Sequence, residues 1–220
     1  MLHGLFITGT GTSVGKTVVA AALMHRYRPV GSLRYWKPIQ TGIESDDDTL
    51  VVRYLGSCVE REILSDGIRL SGPVSPHLAA QLNGTEIRIP DLVRKIVDSP
   101  PENWIIEGAG GALVPLNESE LMIDLMIQLQ LPVLVVSRAD IGTINHTLLT
   151  LEALRARTLH VAGVVMVGVR NSSNREAIER YGDIAVLGEL PHIAALTPEA
   201  LELWANAELD PGDSLRIYFQ

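Results

Sequence analysis

The chain has 220 residues, of which 46% are hydrophobic, and a net charge of −8. This length and apolar content suffice for a full core, and we expect one domain over residues 1–220. The acidic balance argues against nucleic-acid binding, and no apolar run reaches the roughly 18 residues of a membrane span. A single cysteine, Cys58, excludes an intrachain disulfide. Without a signal-like start, the chain is expected to be cytoplasmic.

Short apolar runs alternate with longer amphipathic segments along the chain. In chain order the pattern predicts a strand at 4–8, a helix at 15–27, a strand at 31–38, a helix at 46–56, a strand at 103–108, a helix at 120–130, a strand at 131–138, a helix at 142–157, strands at 160–169 and 184–191, and a helix at 198–207. Repeated strand–helix units predict an α/β fold with a mostly parallel sheet and helices on both faces.

Two segments outside this pattern carry expectations of their own. Ser99-Pro100-Pro101 is predicted to be a surface turn rather than a domain linker. The residues from about Ala207 onward are predicted to form a surface tail or a dimer edge. Since ligands bind at the carboxyl ends of parallel strands, functional residues are expected directly after the strands.

The segment GTGTSVGKT (9–17) follows the first strand and opens the first helix, as a phosphate loop does. Glycines let backbone N–H groups face an anion, and the helix N-terminus adds partial positive charge. Lys16 is predicted to reach the β- and γ-phosphates, and the Thr17 hydroxyl to bind Mg²⁺. Thr10 stands where the strict pattern requires glycine, so this is a variant loop. The predicted nucleotide contacts in the loop and helix start are Ser13, Val14, Gly15, Lys16, Thr17 and Val18.

Lys37 stands where the second strand meets a loop, in RYWKPIQTG (34–42). Pro38 biases Lys37 toward an extended conformation, which would aim its ammonium. We hypothesise that Lys37 faces the same anion as Lys16. The alternative is a lysine that only caps a strand end at the surface.

Carboxylates for Mg²⁺ are available after two predicted strands. Glu107 ends the strand that contains Trp104-Ile105-Ile106 and is followed by glycines. The other source is ESDDDTL (44–50), in which Asp46, Asp47 and Asp48 cannot all be ligands. These acids could equally form a solvated turn with N-caps for the next helix.

With these features the chain resembles the dethiobiotin synthetase family, from residue 5 to about residue 193. The resemblance rests on TGTGTSVGKT (8–17), KPIQTG (37–42), DDDTL (46–50), SPHLAA (75–80), EGAGG (107–111), LPVLVV (131–136), GTINHTLLTLEAL (142–154) and LGELP (187–191). It implies a phosphate-loop (P-loop) NTPase-like α/β sheet and a homodimer with substrate at the subunit interface. It also implies closure of the ureido ring of dethiobiotin from 7,8-diaminononanoate, CO₂ and ATP, through a carbamate and a carbamic-phosphoric anhydride.

The resemblance assigns roles to individual residues. Lys16 and Lys37 become the catalytic residues, and Thr17, Asp48 and Glu107 the metal ligands. Further nucleotide contacts are implied for Gly108, Ala109 and Gly110. Substrate contacts are implied for Thr12, Lys37, Thr41, Gly111, Thr143, Ile144 and Asn145, the last three reaching the substrate carboxylate of the neighbouring subunit. For His146 we expect capping and packing at the helix start.

Base recognition departs from the family pattern. Many members have an asparagine that binds adenine where Val167 stands here, followed by Gly168. Asn171 lies near, and Pro191, His192 and Ile193 are implied to flank the base, with His192 able to stack on it. Many members also carry an acid at the position of Gly11 and often one at that of Ser13. ATP is therefore expected as the nucleotide, with CTP or GTP as open alternatives.

A nucleotide switch, either a GTPase or a partitioning-type ATPase, is the main alternative function. Ser137-Arg138-Ala139-Asp140 follows a predicted strand and is weakly similar to the guanine-reading Asn/Thr-Lys-x-Asp motif. A switch would hydrolyse nucleotide with a protein partner, whereas a synthetase requires its diamine. A non-catalytic nucleotide-binding module or a related ligase are the remaining alternatives.

Overall fold

A computed structural model describes residues 2–99 and 102–219. The helices are α1 (Lys16–Tyr27), α2 (Asp48–Leu55), α3 (Pro76–Leu82), α4 (Ile89–Val97), α5 (Met122–Leu129), α6 (Thr143–Arg155), α7 (Ser172–Gly182) and α8 (Pro198–Glu208). The strands are β1 (His3–Gly9), β2 (Leu33–Trp36), β3 (Ile39–Thr41), β4 (Ile63–Leu64), β5 (Ile68–Leu70), β6 (Asn103–Gly111), β7 (Val133–Arg138), β8 (Val161–Val167) and β9 (Val186–Leu190). Pro100 and Pro101 of the predicted turn lie outside the described residues, and one domain over residues 1–220 stays a prediction.

Seven strands form one sheet in the order β4-β2-β6-β1-β7-β8-β9, and all its strand pairs are parallel. β3 and β5 form a separate parallel pair. Phe6 on β1 packs into a core with α4, α5 and α6, whereas Leu5 and Ile7 pack into a second core with α1 and α8. Helices therefore cover both faces of the sheet, and the predicted fold class is confirmed.

The predicted elements are present with shifts of a few residues at their ends, but three helices were missed. α3 and α4 each have a proline in the first turn. Proline suits a helix start, but in the sequence alone it indicates a break rather than a helix. α7 (SSNREAIERYG) is polar, and its buried residues are Ile178 and Gly182. A helix with so small an apolar face gives almost no periodic signal.

The prediction of a surface tail after Ala207 is wrong. Leu209, Leu215 and Phe219 are buried in the core beside α1, and the Phe219 ring stacks on Tyr27 at 4.6 Å between centroids. Asp210 fixes the turn because it accepts hydrogen bonds from the Tyr27 hydroxyl at 2.5 Å and the Leu215 amide at 2.7 Å. The C-terminal segment is part of the core in which α1 packs.

The central strands bring the predicted site residues to one edge of the sheet. β6 lies between β2 and β1, with Tyr35 opposite Ile105 and Ile7 opposite Glu107. Alternation along a strand places every second side chain on the same face, which here is the face covered by α1. No helix among residues 2–99 and 102–219 is long and apolar enough to cross a bilayer.

Candidate functional site

The loop between β1 and α1 has the backbone geometry of an anion-binding turn. Gly15 caps α1 at φ 100°, and Ser13 also has a positive φ of 55°. A Cβ on Gly15 would lie 3.0 Å from the Val167 side chain, so conformation and space both favour glycine. The Thr10 amide donates to the Val136 carbonyl on β7, which ties the loop to the sheet. The loop thus has the predicted strand–loop–helix context despite its variant sequence.

Lys16 lies inside this loop rather than in solvent. Its ammonium donates to the Gly11 carbonyl at 3.1 Å, and the residue is buried. Burial and the positive charge of Lys37 lower the pKa of Lys16 to about 8. A buried cation with a lowered pKa is stabilised by an arriving anion.

Lys37 is held between two carboxylates at the end of β2. Its Nζ lies 2.6 Å from Asp48 Oδ2, 2.7 Å from Glu107 Oε1 and 3.3 Å from the Gly108 carbonyl. These contacts can use all three ammonium protons. Burial alone would lower the pKa of Lys37, but Glu107 and Asp48 outweigh it and raise the pKa above its ordinary value. Since Lys37 is only 6% exposed, the alternative of a surface lysine capping a strand end is wrong.

The three predicted metal ligands lie together beside Lys37. The Thr17 hydroxyl is 2.8 Å from Asp48 Oδ1 and 3.1 Å from Glu107 Oε1. Burial favours the neutral acid of Asp48, but the charge and hydrogen bond of Lys37 lower its pKa, so the carboxylate is ionised. Asp47 instead caps α2, accepting from the Thr49 and Leu50 amides.

The chemistry of this donor set fits Mg²⁺. Two carboxylates and a hydroxyl are hard oxygen donors, and Mg²⁺ bound with a nucleotide takes its other ligands from phosphates and water. No group of three or more His, Cys, Asp or Glu side chains that could hold a metal occurs in the described part of the chain. Two carboxylates and one hydroxyl leave coordination positions for phosphate and water oxygens.

Tyr35 is a site residue that the sequence reasoning missed. Its hydroxyl donates to Glu107 Oε2 at 2.9 Å, and both side chains are fully buried. Burial and the nearby Glu107 charge raise the pKa of Tyr35 well above its ordinary value, so it remains a donor. The alternation of side chains along a strand could have indicated it, because Tyr35 precedes Lys37 by two residues and therefore lies on the same face.

Three cavities lie in a row along the phosphate loop, and most predicted contacts line one of them. The central cavity, of about 400 Å³, is lined by Thr12, Ser13, Val14, Gly15, Lys16, Thr17, Val18, Lys37, Gln40, Thr41, Asp46, Asp48, Val51, Glu107, Ala109 and Gly110. It shares residues 13–15 with a second cavity of about 440 Å³, which we call the base cavity. It shares Thr12 with a third of about 330 Å³, which we call the side cavity.

The base cavity contains the predicted Val167, Gly168 and His192. Asn171 also lines it, but its side chain caps α7 by accepting from the Asn174 amide. Arg138 lines the same cavity and donates to the Ser13 carbonyl at 3.1 Å, a contact that the sequence did not suggest. Pro191 and Ile193 flank His192 without lining this cavity, and Gly108 is buried behind the central one.

The side cavity contains Thr12, Gly111 and His146, at the junction of the loop, β6 and α6. Thr143, Ile144 and Asn145 do not line it. Thr143 is buried and donates to the Arg138 carbonyl, Ile144 is half-buried and Asn145 is exposed. α6 has Gly142 as its N-cap and no side-chain cap, so the expected capping role of His146 is wrong.

A further cavity, of about 820 Å³, lies away from the phosphate loop. It is bounded by α3, α4 and residues 116–120, and none of the predicted site residues lines it. His77 does line it and is hydrogen-bonded to the Ser75 hydroxyl at 3.0 Å. This cavity therefore lies outside the set of predicted site residues.

A parallel sheet with this loop after its first strand defines the class of P-loop NTPase-like α/β proteins. Two solved structures agree: a ParA family ATPase from Chlorobium tepidum (TM-score 0.56, 11% identity, 93% of this chain and 98% of that one) and the septum site-determining protein MinD with Mg-ADP from Pyrococcus horikoshii (TM-score 0.57, 14% identity, 93% and 95%). At these identities the likeness concerns the fold alone.

Sequence comparison identifies the family within this class. A family model described as an AAA domain matches residues 3–200. The ATP-dependent dethiobiotin synthetase BioD of Paramagnetospirillum magneticum is 46% identical over 89% of this chain and 91% of its own length. The protein of the same name from Agrobacterium fabrum is 44% identical over 96% of both chains. The chain belongs to the dethiobiotin synthetase family.

Proposed function

We propose that this protein is a ligase that uses ATP and Mg²⁺ to convert 7,8-diaminononanoate and CO₂ into dethiobiotin, ADP and phosphate. One observation carries the proposal: Lys16, Lys37, Thr17, Asp48 and Glu107 meet at one cavity in a chain of this family. A carbamate forms on one amine, takes the γ-phosphoryl group on its oxygen, and is then attacked by the other amine. Ring closure releases phosphate.

The phosphate loop and Lys16 bind the nucleotide phosphates in this proposal. The start of α1 offers backbone N–H groups and partial positive charge, and Lys16 adds a full charge from inside the loop. Because Lys16 is buried, its attraction for a phosphate is only weakly screened by solvent. Ser13, Val14, Gly15 and Val18 line the same cavity.

Lys37 brings the carbamate and the γ-phosphate together. Both groups are anions, and their repulsion grows where water is excluded. An ammonium between them offsets that repulsion and stabilises the charge on the phosphoryl group during transfer. All three protons of Lys37 are engaged by Asp48, Glu107 and Gly108. Lys37 must therefore exchange at least one of these partners when it contacts substrate.

Thr17, Asp48 and Glu107 would hold Mg²⁺, the ion to which their donor set is suited. When bound, the ion neutralises charge on the phosphate oxygens. Ala109 and Gly110 form the wall beside these ligands, and Gly110 has a φ of 67° that favours glycine. The backbone can thus pass close to the bound nucleotide.

The diamine is placed where the central and side cavities meet. Thr12 lines both cavities, Thr41 lines the central one and Gly111 the side one. In a homodimer with substrate at the interface, Thr143, Ile144 and Asn145 would receive the substrate carboxylate of the neighbouring subunit. The exposed Asn145 in the first turn of α6 supports this assignment, since a helix N-terminus suits a carboxylate.

ATP is the proposed nucleotide, and CTP or GTP remain alternatives within the proposal. Val167 offers no side-chain hydrogen bond to a base, whereas His192 at the same cavity offers a stacking surface. We place the reaction in the cytoplasm, consistent with the free, buried thiol of Cys58.

Product formation tests the proposal directly. The protein is incubated with 7,8-diaminononanoate, ATP, Mg²⁺ and ¹³C-bicarbonate, and the product is analysed by mass spectrometry. The proposal requires dethiobiotin that carries one ¹³C, and product formation that stops when the diamine, bicarbonate or nucleotide is omitted. Nucleotide hydrolysis without any labelled product would favour a nucleotide switch instead.

A further inference from the structure

Glu107 has a buried hydrogen-bond partner to which the proposed function assigns no role. Tyr35 donates to Glu107 Oε2 at 2.9 Å, and neither side chain is accessible to solvent. We propose that Tyr35 is a positioning residue, which occupies Oε2 of Glu107 so that this carboxylate meets Mg²⁺ through Oε1 alone. The inference rests on the proposed metal-dependent nucleotide binding, and assigns a role to a residue that does not touch the substrates.

The sheet explains why Tyr35 reaches Glu107. β2 and β6 are hydrogen-bonded neighbours, with Tyr35 opposite Ile105. Glu107 lies two residues beyond Ile105, so its side chain projects from the same face of the sheet as Tyr35. Tyr35 therefore approaches the carboxylate from within the sheet, and it does not line the cavity that Glu107 lines.

The two carboxylate oxygens consequently have different surroundings. Oε1 faces the cavity side, where it contacts Lys37 at 2.7 Å and Thr17 at 3.1 Å. Oε2 contacts the Tyr35 hydroxyl. A hydrogen bond to a buried carboxylate is charge-assisted, and losing it leaves the oxygen unsatisfied in a place that water does not reach. Tyr35 thus resists any rotation that would turn Oε2 toward the cavity.

One-oxygen coordination by Glu107 discriminates between divalent cations. Mg²⁺ requires near-octahedral geometry with short bonds, which suits one oxygen from each carboxylate. Ca²⁺ accepts six to eight oxygens and readily takes both oxygens of a carboxylate. With Tyr35 in place, Glu107 presents the geometry that Mg²⁺ prefers. Without it, Glu107 is free to turn and offer both oxygens.

Tyr35→Phe tests the inference, because it removes one oxygen atom and keeps the ring. We expect Mg²⁺ affinity in the presence of saturating ADP to fall about tenfold or more, as replacement of an outer partner of a metal ligand commonly causes. Ca²⁺ affinity should fall less or rise, so the Mg²⁺/Ca²⁺ affinity ratio falls. ADP affinity without metal should remain unchanged. Calorimetric titration with MgCl₂ and CaCl₂ gives the two metal affinities, and titration with ADP in the absence of metal gives the ADP affinity.

Tyr27→Phe is the matched control. Tyr27 is also a buried tyrosine that donates to a carboxylate, in this case Asp210 at the C-terminal segment. Both variants should lose stability in urea unfolding, but only Tyr35→Phe should change the Mg²⁺/Ca²⁺ ratio. The inference would be overturned if wild type and Tyr35→Phe had the same Mg²⁺/Ca²⁺ affinity ratio, or if Tyr35→Phe and Tyr27→Phe changed that ratio equally.

A double-mutant cycle with Glu107→Gln tests whether Tyr35 acts through Glu107. In the Glu107→Gln background, Tyr35→Phe should no longer change Mg²⁺ affinity, and a change as large as in the wild-type background would overturn the inference. Wild-type protein that binds ADP equally with and without Mg²⁺ would instead refute the proposed function. The two failures are therefore distinguishable.

Discussion

Lys37→Met separates the structural role of this lysine from its proposed catalytic one. Methionine keeps much of the length and removes the charge. The ammonium lies within 2.7 Å of both the Asp48 and the Glu107 carboxylate, and Glu107 is fully buried. Removing one partner of a buried ion pair costs roughly 3–5 kcal/mol. Because Asp48 retains some exposure, we expect a loss near the lower end, about 3 kcal/mol.

Mg²⁺ should restore part of the free energy of unfolding that Lys37→Met loses. Without Lys37, the two carboxylates lose the cation that contacts them directly and keep only the attraction of Lys16, so the folded variant should bind Mg²⁺ better than wild type does without nucleotide. Urea unfolding with and without millimolar MgCl₂ measures both effects, and turnover should be lost throughout. Replacement of Lys37 should therefore lower stability as well as abolish turnover.

Lys95→Met provides the control for this experiment. Lys95 pairs with Asp66 at 2.6 Å, but Asp66 is largely in solvent and Lys95 is partly exposed. An exposed pair contributes about 0–1 kcal/mol, and Mg²⁺ should not affect this variant. If Lys37→Met is as stable as wild type and insensitive to Mg²⁺, Lys37 does not neutralise the two carboxylates.

Three further predictions concern other parts of the molecule. Lys16 has a pKa of about 8 in the free protein, and a bound polyphosphate should raise this pKa. ADP binding at about pH 9 should therefore take up a proton, and ADP affinity should fall as pH rises above about 8. Calorimetry in buffers of different ionisation enthalpy measures the proton uptake. Equal heats in all buffers would contradict this. Val167→Asn should increase the preference for ATP over CTP and GTP in competition binding, because it adds a hydrogen-bonding amide to the base cavity. An unchanged preference would mean that the base is bound elsewhere. Asp210→Ala should lower the free energy of unfolding by about 2 kcal/mol or more, because it leaves the buried Tyr27 hydroxyl and Leu215 amide without their acceptor, while nucleotide affinity is retained.

The fold class could be predicted from the sequence because strongly apolar strands such as residues 131–138 alternate with helices of clear period. The missed elements lack that signal. α7 buries too little to show a period, and β4 has only two residues. The C-terminal segment was misread because its apolar residues are spaced irregularly, and only the structure shows Phe219 stacked on Tyr27.

The candidate site was predictable to the extent that its residues directly follow strands or form a known loop. Lys37 satisfies that rule, whereas Glu107 lies within β6, which continues to Gly111; the structure brings the two side chains within 2.7 Å. The partners of Glu107 could not be deduced, because they depend on which strands are neighbours. The sequence does not show that β2 pairs with β6, and without that pairing Tyr35 cannot be told from an ordinary core aromatic.

We propose that phosphate transfer at this site serves the diamine. Phosphate release with ATP, Mg²⁺ and bicarbonate, measured with and without 7,8-diaminononanoate, is the most direct test. We expect release that requires the diamine and is lost in Lys37→Met. Release at the same rate without the diamine would contradict it and would indicate a nucleotide switch.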